Sequence, residues 1–383
     1  MEIMFWGCLA LLGYIYFGYP ILIKLISLFT SAADLETRDD IPVYSVTVLI
    51  AAYNEELHIR QTIQNKLSMD YPAQLLSIVV ISDSSEDKTD EIVREMAEQD
   101  PRVKLIRQSP RAGKTAALNL ASKDIDSDLI VFSDANSLYE PQVIKKLTKC
   151  FNDPQTGYVT GKMVYVNEDG SLVGDGCTAY MKYENMLREL ETQIGSVVGV
   201  DGGIDAIRTS LFTELKDDQL PDFVQPLWVV HKGYKVKYCA DARLNEEVLS
   251  ESDKEFKMRV RVALRALWGI HDMRALLNPF KYGFFAIQLF SHKLLRYLAC
   301  LFMVGLLISN IAIFQSHSFY QLAAFGQFAF YSAAFAGARL PSVSTPVIVA
   351  PYYFCLLNIS CVIALYKYLK GEKIVIWKPR AGQ

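Results

Sequence analysis

The chain has 383 residues, enough for about two to three domains. A net charge of −3 provides none of the basic surface that nucleic acid demands, which excludes nucleic acid as the main partner. The seven cysteines (Cys8, Cys150, Cys177, Cys239, Cys300, Cys355 and Cys361) are scattered without C-x-x-C spacing, so they signal neither a zinc site nor a disulfide framework.

Hydrophobic residues make up 51% of the chain, and they are unevenly placed. Residues 3–23 carry no charge and are long enough to span a bilayer, with Trp6, Tyr14, Tyr16 and Tyr19 as interfacial aromatics. A cleaved signal peptide fits poorly, because Glu2 stands where a basic residue belongs. Lys24 and Arg38 follow the span and no Lys or Arg precedes it, which predicts an outside amino terminus and a cytoplasmic continuation. Residues 31–41 read as a linker. From residue 42 strands alternate with helices. Strands are predicted over 46–52, 77–82, 103–106 and 128–132, and helices over 55–67, 89–99 and 115–122. That spacing predicts an α/β domain with a mainly parallel sheet. A strand over 157–166, a helix over 178–191, a glycine-rich stretch over 195–203, a late strand over 236–240 and a basic helix over 255–274 complete it.

Beyond residue 279 apolar runs return. Residues 297–338 hold no Lys, Arg, Asp or Glu and are too long for one span, so a split near residues 315–318 is expected. Residues 340–366 form a further run, and 280–296 read as interfacial, with Lys293 and Arg296 snorkelling. Four spans starting outside would leave the tail outside, against its Lys367, Lys370, Lys373, Lys378 and Arg380. The expected divisions are a transmembrane helix in 1–30, a globular domain over 42–275, an interfacial segment with further transmembrane helices over 276–366, and a basic tail over 367–383.

The chemistry starts at the tip of one strand. Val131-Phe-Ser-Asp-Ala-Asn136 ends an apolar run in a small acidic turn. A carboxylate at the carboxyl end of an α/β strand faces the ligand crevice, and Asp134 and Asn136 can both offer oxygen to one hard cation. A plain Asx turn is the alternative. Ala51-Ala-Tyr-Asn-Glu-Glu56 follows the first strand, Asp83-Ser-Ser-Glu-Asp-Lys-Thr89 the second, and Arg111-Ala-Gly-Lys-Thr115 precedes the Asp134 strand. Tyr53 can cover a base, and Glu55 can accept from a base or a ribose. Lys114 can neutralise phosphate or simply be a solvated charge. A P-loop is excluded, because Gln108 occupies the place of its first glycine.

In this order the four stretches resemble the family 2 glycosyltransferases, over roughly residues 45–270, and the apolar flanks resemble the membrane-bound chitin-oligosaccharide, hyaluronan and poly-N-acetylglucosamine synthases of that family. The resemblance implies the GT-A fold and a nucleotide-sugar donor. It assigns Tyr53, Glu55, Asp83, Lys114, Asp134 and Arg261 to the donor, with Asp83 accepting from the uracil imide. Asp134 and Asn136 fall on the D-x-D position that holds a divalent cation, Mg²⁺ or Mn²⁺; the amide brings no charge, so weaker binding is expected. Asp222, in Leu220-Pro-Asp-Phe223, matches the position of the general base; Asp217 and Asp218 are the nearby alternatives. Gly202 and Gly203 would line the acceptor side, unless they form a tight turn alone. Tyr183 and Glu184 are further candidates.

The Q-x-x-R-W motif of the processive synthases survives only as Arg261, which puts processivity in question. Arg261, Arg265 and Trp268 share a helix face at i, i+4 and i+7, with Trp268 a candidate acceptor platform. A basic face on anionic headgroups is the alternative. Asn358-Ile-Ser360 is a sequon by letters only, inside an apolar run. The sequence thus predicts a bacterial cell-membrane enzyme with a cytoplasmic catalytic domain. It would move a sugar, by inversion, from a UDP-sugar to a saccharide or lipid-linked acceptor. Membrane lipids, and partner subunits of a synthase, would be its other contacts. A non-processive glycolipid-forming enzyme and a catalytically weak binding subunit are the competing expectations.

Overall fold

The computed structural model describes residues 1–30, 43–166, 172–247, 251–340 and 345–376. The linker over 31–41 and the tail residues Lys378 and Arg380 lie outside them. The sheet is built on β1 (Val46–Ala52), an unbroken apolar run buried at all seven positions. A strand buried on both faces reads as a continuous apolar run because parallel sheets are covered on each side. β1 lies between β2 (Leu76–Asp83) and β4 (Leu129–Asp134), with β3 (Val103–Gln108) beyond β2, all parallel. Burying one such side chain stabilises by about 1.5–3 kcal/mol, so Ile50→Ala would cost about 2–5 kcal/mol.

The expected parallel order holds only for these four strands. β5 (Leu138–Tyr139), β6 (Thr156–Val166), β7 (Ile204–Arg208) and β8 (Lys235–Glu247) complete the order β3-β2-β1-β4-β7-β6-β8-β5. β7 runs antiparallel to β4 and β6, and β5 antiparallel to β8. Direction matters for the site. Ala51 aligns with both Ile81 and Asp134, so the β1, β2 and β4 tips share one edge. Antiparallel β7 pairs Asp205 with Phe132 and Ile204 with Ser133, which brings its preceding glycine turn to that same edge.

Element boundaries shift by a few residues. The first predicted helix begins at Ile59 rather than 55, because 55–58 form a turn, whereas Thr89–Gln99 is helical throughout as expected.

The described residues fall into two compact units. The sheet unit holds Thr30–Val164, Arg188–Glu246 and 374–376; the helical unit holds Met1–Phe29, Tyr165–Leu187 and Glu247–Lys373. The globular span expected over 42–275 is therefore divided, with 165–187 and 247–275 grouping among the helices.

Within the helical unit three helices are long and apolar enough to cross a membrane: Glu2–Ser27, Phe284–Ile313 and Pro346–Leu369. Ser318–Arg339 is helical but is not one of them; glutamine, serine, tyrosine and glycine dilute its apolar residues. The chain does break between Ile313 and Ser318, close to the expected split. The second candidate span starts at Phe284, so most of the stretch read as interfacial over 280–296, with Lys293 and Arg296, lies on that helix. Both face the buried carboxylate of Glu184, Lys293 at 3.6 Å and Arg296 in direct contact. An opposite charge inside the unit replaces the water they would otherwise seek.

Candidate active site

The β2 tip carries Asp83, whose carboxylate is nearly fully buried. Its Oδ1 accepts from Gln108 Nε2 at 2.5 Å and from the Ala112 N–H at 2.9 Å, and its Oδ2 accepts from the Gly113 N–H at 3.0 Å. Asp83 thus holds the Arg111–Lys114 loop to the sheet edge. A carboxylate offers about four acceptor positions, so capacity remains on Oδ2, where Arg111 Nε stands at 3.6 Å. The Arg111 guanidinium lies over the Tyr53 ring, 3.4 Å from its centroid. Tyr53 is therefore a stacking surface already in use by a cation. The Asn54 and Ser84 backbones are left-handed (φ 55° and 58°), and the loops after β1 and β2 interlock there. Asn54 Oδ1 accepts from the Glu86 N–H at 2.8 Å, and the Glu55 N–H donates to Thr89 Oγ1 at 2.8 Å.

Gly113 has φ +94°, and a Cβ there would meet the Val375 carbonyl at 2.9 Å. Val375 and Ile376 therefore pass directly against the Asp83-bound loop. The next residue, Lys114, starts the helix Lys114–Ser122. Its Nζ donates to Asp134 Oδ1 at 2.7 Å and stands 3.9 Å from Asp222 Oδ1. Burial alone would lower the Lys114 pKa, but the Asp134 and Asp222 carboxylates outweigh it and hold the ammonium firmly charged. Lys114 is thus neither a solvated charge nor only a phosphate partner. It links the expected cation ligand to the expected base.

Asp222 lies in the first turn of the helix Pro221–His231, where Pro221 is preorganised for helix entry. It caps nothing. Of the three acids weighed for the base, Asp222 is the one that reaches Lys114; Asp217 is exposed and Asp218 half-buried. The glycine turn explains why Asp222 fits. Gly202 has φ +82°, and a Cβ there would lie 2.5 Å from the Asp222 carboxylate. A Cβ on Gly203 would stand 3.4 Å from Asp134 Oδ2. The turn lines the space between the two acids.

Several buried groups that sequence reasoning missed fix this geometry. Asp205 Oδ2 accepts from Tyr158 Oη at 2.8 Å and from the Gly202 N–H at 3.1 Å. Burial, together with nearby Asp222, raises the Asp205 carboxyl to about 7, despite its hydrogen bonds. Arg188 pairs with Asp201 at 2.7 Å and donates to the Gly199 carbonyl at 3.0 Å, pinning the turn from its other end. Lys66 donates to the Ser137 carbonyl at 2.5 Å and lies 3.5 Å from the Tyr139 ring centroid; burial pushes its pKa well down, partly offset by Asp134. The Tyr139 hydroxyl sits between the carbonyls of Phe132 (2.9 Å) and Gly203 (2.8 Å), tying the acidic tip to the glycine turn. The five-residue segment Asp201-Gly-Gly-Ile-Asp205, with its two acids four residues apart, is the one sequence signal that could have flagged Asp205.

Asp134 and Asn136 present oxygen donors, and Asn136 is exposed. Among the described residues no cluster of three or more His, Cys, Asp or Glu could hold a metal alone. Two oxygen ligands completed by substrate phosphates suit Mg²⁺, which keeps few protein ligands, so the donor set fits.

Arg261 and Trp268 lie on the helix Ser252–Asp272 of the helical unit. Trp268 Nε1 donates to the Glu372 carbonyl at 2.9 Å, and Lys373 lies 4.8 Å from its ring centroid. The indole expected to bear an acceptor is engaged by the tail, and Arg265 is buried. Tyr183 and Glu184 also bond within the helical unit, Tyr183 to the Tyr16 carbonyl at 3.1 Å and Glu184 to its cation cluster.

A parallel sheet edge bearing strand-tip carboxylates, joined to an antiparallel half, is the frame of the GT-A nucleotide-sugar transferases. Residues 47–211 match the model of "Glycosyl transferase family 2". The chain is 29% identical over 300 residues to the "Probable glycosyltransferase YdaM" of Bacillus subtilis, covering 75% of this chain and 69% of that protein. It is 26% identical over 198 residues to the poly-beta-1,6-N-acetyl-D-glucosamine synthase of Staphylococcus aureus, covering 50% of this chain and 47% of the synthase. The chain therefore spans about half the length of that relative. Among solved structures, mannosyltransferase PcManGT from Pyrobaculum calidifontis, in complex with GDP-Man and Mn²⁺, superposes with a TM-score of 0.71 at 21% identity, covering 96% of this chain and 99% of that one. Residues 47–211 thus carry a family 2 glycosyltransferase match, and the fold is that of the GT-A transferases.

Proposed function

We propose that the enzyme transfers a sugar from a UDP-sugar, with inversion, to a saccharide or lipid-linked acceptor at a membrane, in polysaccharide or envelope-glycan synthesis. The observation that carries this reading is the Asp134–Lys114–Asp222 array. It sets one acid for the donor side and one for the acceptor side about a single ammonium. The acceptor hydroxyl oxygen attacks the anomeric carbon, the carbon–phosphate-oxygen bond breaks, and the nucleoside diphosphate leaves with the bonding pair. Asp222 takes the hydroxyl proton. Asp134 and Asn136 would hold a divalent cation, which when bound offsets charge on the departing diphosphate. Lys114 holds a positive charge at the same place. Tyr53, Glu55 and Asp83 frame the nucleoside, Gly202 and Gly203 the acceptor side, and Arg261 the diphosphate. PcManGT was solved with a nucleotide sugar and Mn²⁺, and the synthase relative makes a polymer; both favour this reading.

The sheet unit is the catalytic domain in this proposal, placed at the cytoplasmic face of a bacterial cell membrane. Three crossings from an outside amino terminus put Lys367, Lys370 and Lys373 on the cytoplasmic side, and the conflict posed by four disappears. The experiment is nucleoside-diphosphate release from a panel of nucleotide sugars, with Mg²⁺ or Mn²⁺, by the full chain in detergent. UDP-sugar turnover is expected. Absence of turnover with every donor would favour the binding-subunit reading.

A further inference from the structure

The sheet unit holds two cysteines, Cys150 and Cys239, and the other five belong to the helical unit. Nothing in their spacing marks them as a pair, but the fold brings them together. The helix Val143–Lys149 follows β5 and runs along β8, with Cys150 in the turn at its end. Contacts along this path are antiparallel. The Glu140 N–H donates to the Arg243 carbonyl at 3.4 Å, and Lys146 Nζ donates to the Asp241 carbonyl at 2.8 Å. Cys150 and Cys239 are the next pair. Cys150 Sγ donates to the Lys146 carbonyl at 3.6 Å, and Cys239 Sγ donates to the same oxygen at 3.7 Å. Both side chains are only partly buried, so a small reagent can reach them.

Two thiols gathered on one carbonyl are not equivalent. The hydrogen bond with Cys239, and then burial, raises the Cys150 thiol well above its ordinary value, while the same bond lowers Cys239 against its burial. The Ala242 and Asp241 backbones add to the lowering at Cys239, and the Asp241 carboxylate opposes it. Lys149 and Lys237 favour the thiolate form of Cys150. Cys239 is therefore the thiol that ionises first, with Cys150 beside it. Thiol–disulfide exchange uses this arrangement, in which one thiolate attacks and a neighbouring thiol resolves.

We propose that Cys150 and Cys239 form a redox-active dithiol that exchanges with low-molecular-weight disulfides and closes reversibly into a bridge between the end of the helix Val143–Lys149 and β8. The Cys239 thiolate attacks one sulfur of the incoming disulfide and displaces the other half as a thiolate. Cys150 then gives up its proton, attacks the Cys239 sulfur and displaces the second half. The protein dithiol is oxidised to a disulfide, the reagent is reduced to two thiols, and the protons released by the protein end on those thiols. The bridge fixes the far end of a helix whose near end joins β5. Tyr139 of β5 ties the acidic tip to the glycine turn, so the bridge stiffens a strand on which the candidate active site leans. At the cytoplasmic face proposed above, such a bridge is a transient response to oxidising conditions, since cytosolic thiols are otherwise kept reduced.

The test incubates the reduced full chain in detergent with glutathione disulfide, then alkylates and digests it for mass spectrometry. The expected product is a Cys150–Cys239 cross-linked peptide, with both thiols lost to alkylation. The oxidised protein is expected to unfold at a higher temperature than the reduced one and to return to the lower value with dithiothreitol. Cys150→Ser is expected to stop at the mixed disulfide of glutathione with Cys239. Cys239→Ser is expected to take up glutathione on Cys150 at least about tenfold more slowly. If both thiols of the wild type stay open to alkylation after glutathione disulfide, the proposal is overturned, and a bridge from either one to a cysteine of the helical unit overturns the pair. An oxidised protein no more stable than the reduced one overturns the helix–strand bridge. Equal uptake in the two variants overturns Cys239 as the attacking thiol. The wild-type arms decide the bridge even where a variant fails to fold.

Discussion

The molecule holds two clusters of opposed charge, and their accessibility separates them. At the sheet edge, the Asp134 and Asp222 side chains are 39% and 30% exposed and share one lysine. In the helical unit, the Glu184 and Glu255 side chains are 3% and 2% exposed and are met by Arg296, Lys293, His292 and Arg259. Buried, saturated carboxylates can only hold structure, since losing a partner leaves a charge without water. Half-open carboxylates held by a single cation can trade it for a substrate or a metal. In the proposed function the first cluster carries the chemistry, and the carboxylates of the second hold the helical unit together.

Substitution should therefore separate activity from stability along this line. Asp134→Ala is expected to lower nucleoside-diphosphate release on the order of a thousandfold with little change in unfolding temperature, since a half-exposed acid is removed. Glu184→Ala should do the reverse, costing about 3–5 kcal/mol by stranding buried cations, seen as a large drop in unfolding temperature. If the two variants behaved alike in both assays, the distinction would collapse.

Gly202→Ala probes how closely the first cluster is built. The positive φ costs about 1–2 kcal/mol for a residue with a Cβ, and the Asp222 carboxylate must shift, for an expected activity loss of about a hundredfold. A variant as active as wild type would mean that Asp222 does not depend on this turn.

The smallest effect concerns Asp205. Its folded value of about 7 lies above the ordinary 3.8. Between these values the folded state keeps a proton that the unfolded chain has released. Stability attributable to this group is full below about 3.8 and declines as pH rises through the window to about 7. Asp205→Asn should flatten that decline in unfolding scans across pH, and a profile unchanged from wild type would contradict the shift.

The parallel half of the fold and its strand-tip acids were legible because each motif sits where an apolar run stops, and the register of parallel strands follows from that. The antiparallel half was not, because pairing of β7 with β4 and β6 joins segments far apart in the chain. Asp83, Lys114, Asp134 and Asp222 were legible as candidates. Their coupling through Lys114 was not, and neither were Tyr158, Asp205 or Arg188, whose partners are set by tertiary structure. The shared partner of Lys293 and Arg296 was hidden for the same reason. Read locally they want water, but the structure sets both against Glu184, more than a hundred residues earlier. Trp268 looked available on a helix face until the tail was placed against it.

The proposed transfer depends most directly on Asp222. The decisive measurement is nucleoside-diphosphate release and sugar transfer by Asp222→Asn beside wild type, at saturating donor with Mg²⁺ or Mn²⁺. The two side chains are nearly the same size, so Lys114 and Gly202 stay in place while the proton acceptor is lost. A fall in turnover of about 10²–10⁴-fold, with the stabilisation by UDP retained, is the predicted result. Equal rates in the two proteins would contradict Asp222 as the base and, with it, the division of roles at this site.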